Sequence, residues 1–121
     1  MKSKLFLLLL LSFVGNAWAC FDEHRNDKDN YISCKNSAIK GYVNAQYNLG
    51  VMYGSWKGVS QNWKQANIWL RKAAKQGSVD ALYTLGMIYI KGEGVLQDNV
   101  MAYMFWDIAS KSGDLGSINN K

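Results

Sequence analysis

Two similar phrases of 10 residues occur in this chain, and their spacing constrains the fold more than any other feature. NAQYNLGVMY at residues 44–53 is followed by DALYTLGMIY at residues 80–89, 36 positions later. The same residues recur at this offset on both sides of the phrase: Gly41/Gly77, Ala45/Ala81, Tyr47/Tyr83, Leu49/Leu85, Gly50/Gly86, Gly58/Gly94, Val59/Val95 and Ala73/Ala109. A fixed period of about 20 to 50 residues is typical of stacked supersecondary units. The chain is therefore expected to fold as a short array of such units.

The apolar residues within each unit recur at helical spacing. Ala45 and Leu49 lie on one face of a predicted amphipathic helix, and a second apolar stripe follows the turn. In the second copy the pattern predicts helices at about residues 79–90 and 99–112. The 121 residues contain no proline, so nothing in the sequence interrupts these helices. Each unit is predicted to be a helix, a turn and an antiparallel helix.

Glycines occupy equivalent positions in the two copies. Gly50 and Gly86 lie inside predicted helices, where glycine costs about 1 kcal/mol relative to alanine. Their recurrence at the same phase predicts that another backbone segment passes close to each of them. Gly58 and Gly94 lie in the turns and are expected to adopt positive φ, so that the valine after each can point into the core.

The first 19 residues are typical of a secretory signal peptide. Lys2 and Lys4 precede an apolar run at residues 5–14, which is too short to span a bilayer, and an A-x-A site follows at residues 17–19. The chain is therefore predicted to be exported. Removal of this segment leaves 12 basic and 9 acidic residues, a mild excess that does not indicate nucleic-acid binding.

Cys20 and Cys34 are the two cysteines, and Cys20 has two possible fates. Lipidation would make the protein a membrane-anchored lipoprotein, although Ala17 and Trp18 fit a lipoprotein cleavage box poorly. Otherwise Cys20 can pair with Cys34 in an oxidising compartment, closing a loop of about 15 residues that is worth about 3 kcal/mol. The disulfide is the favoured alternative, and it predicts a periplasmic or secreted protein.

Residues 31–40 align at the 36-residue offset with the second helix of a repeat, residues 67–76. Stacked units need their first face covered, so this segment is predicted to form a capping half-repeat.

The repeated pattern A-x-x-x-L-G-x-x-Y, a turn ending in G-V, and A-A-x-x-G resembles the Sel-one-like repeat (SLR) family, relatives of the tetratricopeptide repeats. The resemblance covers about residues 41–116 and is weakest at Trp56, which leaves the shape of the first turn open. It implies an all-α fold, a short α-solenoid of two helix-turn-helix repeats with an N-terminal half-repeat cap. The predicted divisions are 1–19 (signal peptide), 20–40 (tail and capping helix), 41–76 and 77–112 (the two repeats) and 113–121 (a truncated third repeat or tail).

The resemblance also implies a kind of function, because most members are adaptors that assemble other proteins on a concave face. Exported bacterial members include secreted virulence-related proteins and periplasmic immunity proteins. The alternative is a cell-wall or β-lactam-acting hydrolase of the cysteine-rich SLR type, but the pair of cysteines that those members carry in each repeat is absent here. The expected partner is another protein.

Residues suited to catalysis are few. The single histidine, His24, lies in the polar stretch DEHRNDKDN, and no base or oxyanion arrangement can be assembled around it. Asp27-x-Asp29 begins like a calcium loop, but Ile32 and Ala38 stand where that loop has glycine and glutamate. No catalytic residue, metal or cofactor is therefore predicted.

Two surfaces are candidates for protein binding. The first helix of each repeat should present a concave face, and its candidate residues are Tyr47, Val51 and Gly54 in the first copy and Tyr83, Met87 and Ile90 in the second. The alternative is that Tyr47 and Tyr83 pack against neighbouring helices. The last helix should expose Met101, Met104, Phe105 and Ile108, a face expected to dock on a second copy or a partner unless a short tail covers it.

Overall fold

The computed structural model describes residues 20–119, with side chains described as far as residue 112. Within this range the chain forms five α-helices and no strand, so the predicted all-α solenoid is confirmed. The predicted signal peptide, residues 1–19, lies outside the described residues. The helices are α1 (Asp27–Ile39), α2 (Val43–Ser55), α3 (Trp63–Lys75), α4 (Val79–Lys91) and α5 (Asn99–Asn119).

Short polar side chains start the second helix of each repeat by capping its first free N–H groups. The side-chain oxygen of Asn62 accepts a hydrogen bond from the Gln65 N–H at the start of α3 (3.0 Å). At the equivalent place before α5, an Asp98 carboxylate oxygen accepts one from the Met101 N–H (3.1 Å). The two repeats therefore begin their second helices with the same cap, made by a different residue type in each.

Each helix packs mainly on its neighbours in sequence, as expected of a solenoid. The first core cluster joins α1, α2 and the start of α3, and its buried residues are Cys20, Cys34, Ala38, Ala45, Leu49, Met52, Tyr53 and Ala66. The second joins the end of α3 to α4 and α5 through Leu70, Ala73, Ala81, Leu82, Leu85, Ile88, Phe105 and Ala109. Val59 packs against the first cluster and Val95 against the second, as the sequence predicts for the residue after each turn glycine.

The N-terminal end of the stack is covered by α1, which is the predicted half-repeat cap. The helix begins at Asp27, earlier than the predicted residue 31, because the Asn26 side chain caps it by accepting a hydrogen bond from the Asp29 N–H (2.8 Å). A disulfide joins Cys20, which precedes α1, to Cys34 within α1, and both cysteines are fully buried. The structure thus contains the favoured alternative for these cysteines, and the bond fastens the N-terminal tail to the cap.

Asn30 also anchors this tail, a role that the repeat pattern did not reveal. Its side chain is buried, and its oxygen accepts a hydrogen bond from the Asp22 N–H (2.9 Å). Its nitrogen donates to the carbonyl oxygens of Asp22 (2.9 Å) and Arg25 (3.3 Å). The amide satisfies backbone groups that the non-helical tail would otherwise leave unpaired.

The C-terminal end differs from the prediction. The helix α5 was expected to stop near Ser112 and to be followed by a truncated third repeat or tail from residue 113, but α5 continues to Asn119 and passes through Gly113. The equivalent Gly77 has φ of 93° and lies where the chain turns back. Glycine permits a left-handed residue without imposing one, so the helix ends at a glycine only where the following segment folds back and packs.

Candidate interaction surfaces

Both helix glycines lie where another element approaches closely. A Cβ atom on Gly50 would stand 2.7 Å from Leu70 Cγ and 3.2 Å from the Ala66 carbonyl oxygen, so the predicted close backbone crossing is confirmed there. On Gly86 it would stand 2.2 Å from Trp106 Nε1. The second glycine therefore makes room for an indole ring rather than for a backbone, a difference caused by Trp106 standing where the first repeat has Leu70.

The turns of the two repeats have the same backbone shape, although Trp56 stands in the first where the second has Gly92. This tryptophan adopts the left-handed conformation (φ 64°), like Gly92 at the equivalent position (φ 71°). The Gln61 side chain donates a hydrogen bond to the Gly54 carbonyl oxygen (2.9 Å), and Gln97 donates to that of Ile90 (3.0 Å). A bulky residue thus occupies a conformation that favours glycine, and its side chain is 67% exposed.

The predicted concave residues are divided between different environments. Val51 is exposed and Gly54 is partly covered, and both line a narrow apolar groove of about 170 Å³ between α2 and α4. Met87 and Ile90 are half-buried on α4. Tyr47 packs against the second core cluster, whereas its counterpart Tyr83 is 58% exposed. Tyr47 therefore packs against neighbouring helices, whereas Tyr83 is exposed at the surface.

The exposure of Tyr83 belongs to a larger feature, which we call the end face and define as Val79, Tyr83, Tyr103 and Trp106. The Trp106 ring centroid lies 6.0 Å from that of Tyr83 and 5.6 Å from that of Tyr103, which is 64% exposed. The indole N–H donates a hydrogen bond to the Tyr83 carbonyl oxygen (3.1 Å), so the ring is held in place. The end face is therefore an ordered aromatic surface at the C-terminal end of the stack.

The corresponding residues of the first repeat are covered. They are Val43, Tyr47, Asn67 and Leu70; Asn67 and Leu70 are buried, and the other two are partly buried against the second core cluster. That cluster includes the apolar residues of α4, the first helix of the next repeat. The end face thus has the composition of an inter-repeat contact, but no helix covers it among the described residues.

Two of the four residues predicted to be exposed on α5 are wholly or partly buried. Met104 and Ile108 are exposed as expected, but Met101 is half-buried and Phe105 is only 7% exposed. The Phe105 ring stacks on Tyr89 of α4 with a centroid separation of 5.6 Å. Phe105 therefore belongs to the contact between α4 and α5, because it lies on the same face of α5 as the buried Ala102 and Ala109.

A second surface lies between α3 and α5, and we call it the α3/α5 groove. It has a volume of about 490 Å³, and its lining residues are Arg71, Lys72, Ala74, Lys75, Leu82, Leu85, Phe105 and Ile108. Apolar side chains come from all three helices, and the basic residues all come from α3. The sequence did not predict this groove, because its residues lie on three helices that come together only in the folded chain.

The pKa of one tyrosine is perturbed. Burial raises the pKa of Tyr53 to about 12, and a hydrogen bond between its hydroxyl and that of Tyr31 (2.9 Å) acts in the same direction. The two rings also meet edge to face, with centroids 5.7 Å apart. This pair joins α1 to α2 and belongs to the core, so it does not resemble a catalytic site.

Residues suited to metal or acid–base chemistry are scattered in the part of the chain that the structure describes. No group of three or more histidine, cysteine, aspartate or glutamate side chains comes together there. His24 is exposed beside Glu23, with 3.8 Å between the ring nitrogen and a carboxylate oxygen. None of the helices in residues 20–119 has the length and apolar composition required to cross a membrane.

Comparison with known proteins agrees with this architecture. The profile of the Sel1 repeat family matches residues 43–78 and 79–114, and no curated protein matches the chain. The crystal structure of a Sel1 repeat protein from Oxalobacter formigenes is similar, with a TM-score of 0.74 and 32% identity over 81% of this chain and 29% of that one. A second similar structure is c5321, a protective antigen with an SLR fold present in uropathogenic Escherichia coli strains. Its TM-score is 0.70 and its identity 36%, over 78% of this chain and 20% of that one.

This chain thus spans less than a third of the length of either similar structure. Sel1 repeats generally mediate binding to other proteins. The matched segments cover both helix-turn-helix units, including the paired glycines and the turns described above. On this combination of sequence and structure, the chain belongs to the Sel1 repeat family.

Proposed function

We propose that the chain is an exported, non-catalytic protein-binding module that acts in the periplasm or outside the cell. The family resemblance implies an adaptor, or a protein of the immunity or virulence type. The single observation that carries the proposal is the end face, where Tyr83 and Tyr103 are exposed on either side of an ordered Trp106. Aromatic side chains of this kind are the usual anchors of protein interfaces.

The first repeat indicates what kind of structure fits the end face. There, the equivalent residues are covered by α4, whose buried side is formed by Ala81, Leu82 and Leu85. A helix of similar small-and-leucine composition would fit the end face in the same way. In this chain the corresponding side of α2 is already covered by α1. Among residues 20–119, a second copy therefore has no such helix side to offer, and we propose a helix of a different protein as the occupant.

The other predicted residues have secondary roles in this proposal. Met87 and Ile90 extend the surface along α4, and Val51 contributes through the narrow groove between α2 and α4. Tyr47 and Phe105 are mostly covered, so they would hold the exposed residues in position rather than contact the partner. The buried disulfide supports export, because such bonds persist in oxidising compartments.

Affinity capture tests the proposal, with the full chain expressed with residues 1–19 in place as bait. We expect the mature protein in the exported fraction, beginning at Cys20 without an added lipid, and a discrete partner bound to it. A Tyr83→Ala/Tyr103→Ala variant should lose that partner. The matched control is Tyr42→Ala, which removes an exposed aromatic residue far from the end face.

Three results would contradict the proposal. Equal capture by both variants would show that the end face is not the binding surface. Light scattering that detects dimers of the chain alone, abolished by Tyr83→Ala/Tyr103→Ala, would replace the partner helix with a second copy. Hydrolysis of a chromogenic β-lactam by the purified protein would show that it is an enzyme.

A further inference from the structure

The α3/α5 groove combines an apolar floor with a basic rim. Leu82 and Leu85 of α4 lie between α3 and α5, and Phe105 and Ile108 of α5 form the facing wall. On the α3 side, the rim carries Arg71, Lys72 and Lys75. The volume of the groove is about 490 Å³.

The three cations have no carboxylate partner within ion-pair distance among the described residues. The ion pairs found there join His24 to Glu23, Arg25 to Asp22 and Lys111 to Asp107, and none includes a cation of the groove rim. On the α5 side, Lys111 and Asp107 neutralise each other at 2.9 Å. The α3 side of the groove therefore carries three positive charges that are not paired with a carboxylate among the described residues.

Aromatic rings hold two of the cations in place beside the groove. The Arg71 guanidinium lies 5.7 Å from the ring centroids of both Tyr89 and Phe105, and it donates a hydrogen bond to the Tyr89 hydroxyl. Lys72 lies over the Trp69 ring, with its nitrogen 4.7 Å from the centroid. These contacts reduce the entropy that each side chain would lose on binding an anion. Lys72 and Lys75 also complement the dipole of α3 near its C-terminus, but that explains neither Arg71 nor the apolar floor.

Each of the three helices lines the groove with residues one turn apart. Arg71 and Lys75 lie one turn apart on α3, Leu82 and Leu85 lie one turn apart on α4, and Phe105 and Ile108 lie one turn apart on α5. A helix lying along this groove would present apolar residues at i, i+3/i+4 and i+7 to the floor. Acidic residues on its flank would then face the α3 rim.

We infer that the α3/α5 groove binds an acidic amphipathic helix of a partner protein. Apolar side chains of that helix contact Ile108, which is 41% exposed, above a floor of buried leucine and phenylalanine side chains. Its carboxylates pair with Arg71, Lys72 and Lys75. This surface is separate from the end face, and the inference does not depend on the proposed occupant there.

The test uses two synthetic helical peptides with the same leucine spacing, one with glutamate and one with lysine on the flanking positions. We expect the acidic peptide to bind the purified protein and the basic one not to bind, as measured by fluorescence anisotropy. A Lys72→Glu/Lys75→Glu variant should weaken binding about tenfold or more, and raised salt should weaken binding to the unaltered protein. The matched control is Lys40→Glu/Lys57→Glu, which makes the same charge change at exposed lysines outside the groove.

Circular dichroism verifies that each variant is folded before binding is measured. Equal binding of the two peptides, or no binding of either, would overturn the inference. Equal weakening by the groove variant and the control variant would do the same, since it would show a response to net charge alone. Binding of laurate at the groove without binding of the acidic peptide would assign the site to small amphiphiles instead. Tyr83→Ala should leave peptide binding unchanged, which separates this result from the test of the end face.

Discussion

The two ends of the stack contain equivalent residues in opposite environments. Tyr47 and Tyr83 occupy the same position in their repeats, yet α4 covers the first and the second is exposed. At the N-terminal end, a half-repeat, a disulfide and the Asn30 side chain all cover or fasten the first repeat. A repeat sequence therefore carries equivalent contact residues in every copy, and position in the stack decides whether they are covered by the next helix or left exposed.

Removing the disulfide should give the largest effect on stability and should act on the N-terminal end only. A Cys20→Ser/Cys34→Ser variant is expected to lose about 3 kcal/mol of unfolding free energy, because the bond closes a loop of about 15 residues. Urea denaturation measures the loss. Hydrogen exchange should show weaker protection in α1 but little direct change in α5; uniform loss across both would show that the two ends are not independent.

The two helix glycines should respond differently to the same substitution. Gly50→Ala is expected to destabilise the protein by about 2 kcal/mol, because the new methyl group meets the buried Leu70 and the backbone of α3. Gly86→Ala should cost about 1 kcal/mol, because the partly exposed Trp106 ring can move away only by losing its hydrogen bond to the Tyr83 carbonyl oxygen. Thermal unfolding of the two variants compares them directly. A larger loss for Gly86→Ala would mean that the end face is as rigid as the buried contact.

The contact between α1 and α2 should weaken at high pH. Because the folded-state pKa of Tyr53 is raised from 10.0 to about 12, the neutral hydroxyl is favoured in the folded protein. Its contribution is therefore complete below pH 10 and is lost as the pH rises from 10 to about 12, on the order of 1–2 kcal/mol. Urea denaturation at a series of pH values measures this loss. Tyr53→Phe should remove this part of the pH dependence, whereas Tyr42→Phe should retain it.

The smallest expected effect concerns the two turns. Trp56→Gly should stabilise the protein by about 1 kcal/mol, because glycine adopts the left-handed conformation without the strain that tryptophan carries there. Gly92→Ala, at the equivalent position, should destabilise it by about as much. A higher melting temperature for Trp56→Gly and a lower one for Gly92→Ala would confirm that the turns are equivalent. Destabilisation by Trp56→Gly would show that the exposed indole makes a contact worth more than the strain.

Much of the fold was predictable because the relevant signals are local. The 36-residue period, the helical spacing of Ala45 and Leu49, and the positive φ of Gly58 and Gly94 depend on residues close together in the chain. The same holds for the favoured disulfide, since Cys20 and Cys34 are separated by 14 positions and have no competing cysteine. Where local signals were ambiguous, as at Gly113, the predicted helix end was wrong.

The candidate sites were less predictable because exposure is not a local property. Sequence alone determined that this protein is a stack of two helical repeats with a capped N-terminal end, since periodicity and glycine positions set those features. Only the tertiary structure decided that Tyr83 is exposed while Tyr47 is covered, that Phe105 is buried against Tyr89, and that three helices form a groove with a basic rim. The physical reason is that burial depends on which helix lies alongside, and the neighbour of each residue is set by packing between segments far apart in the chain.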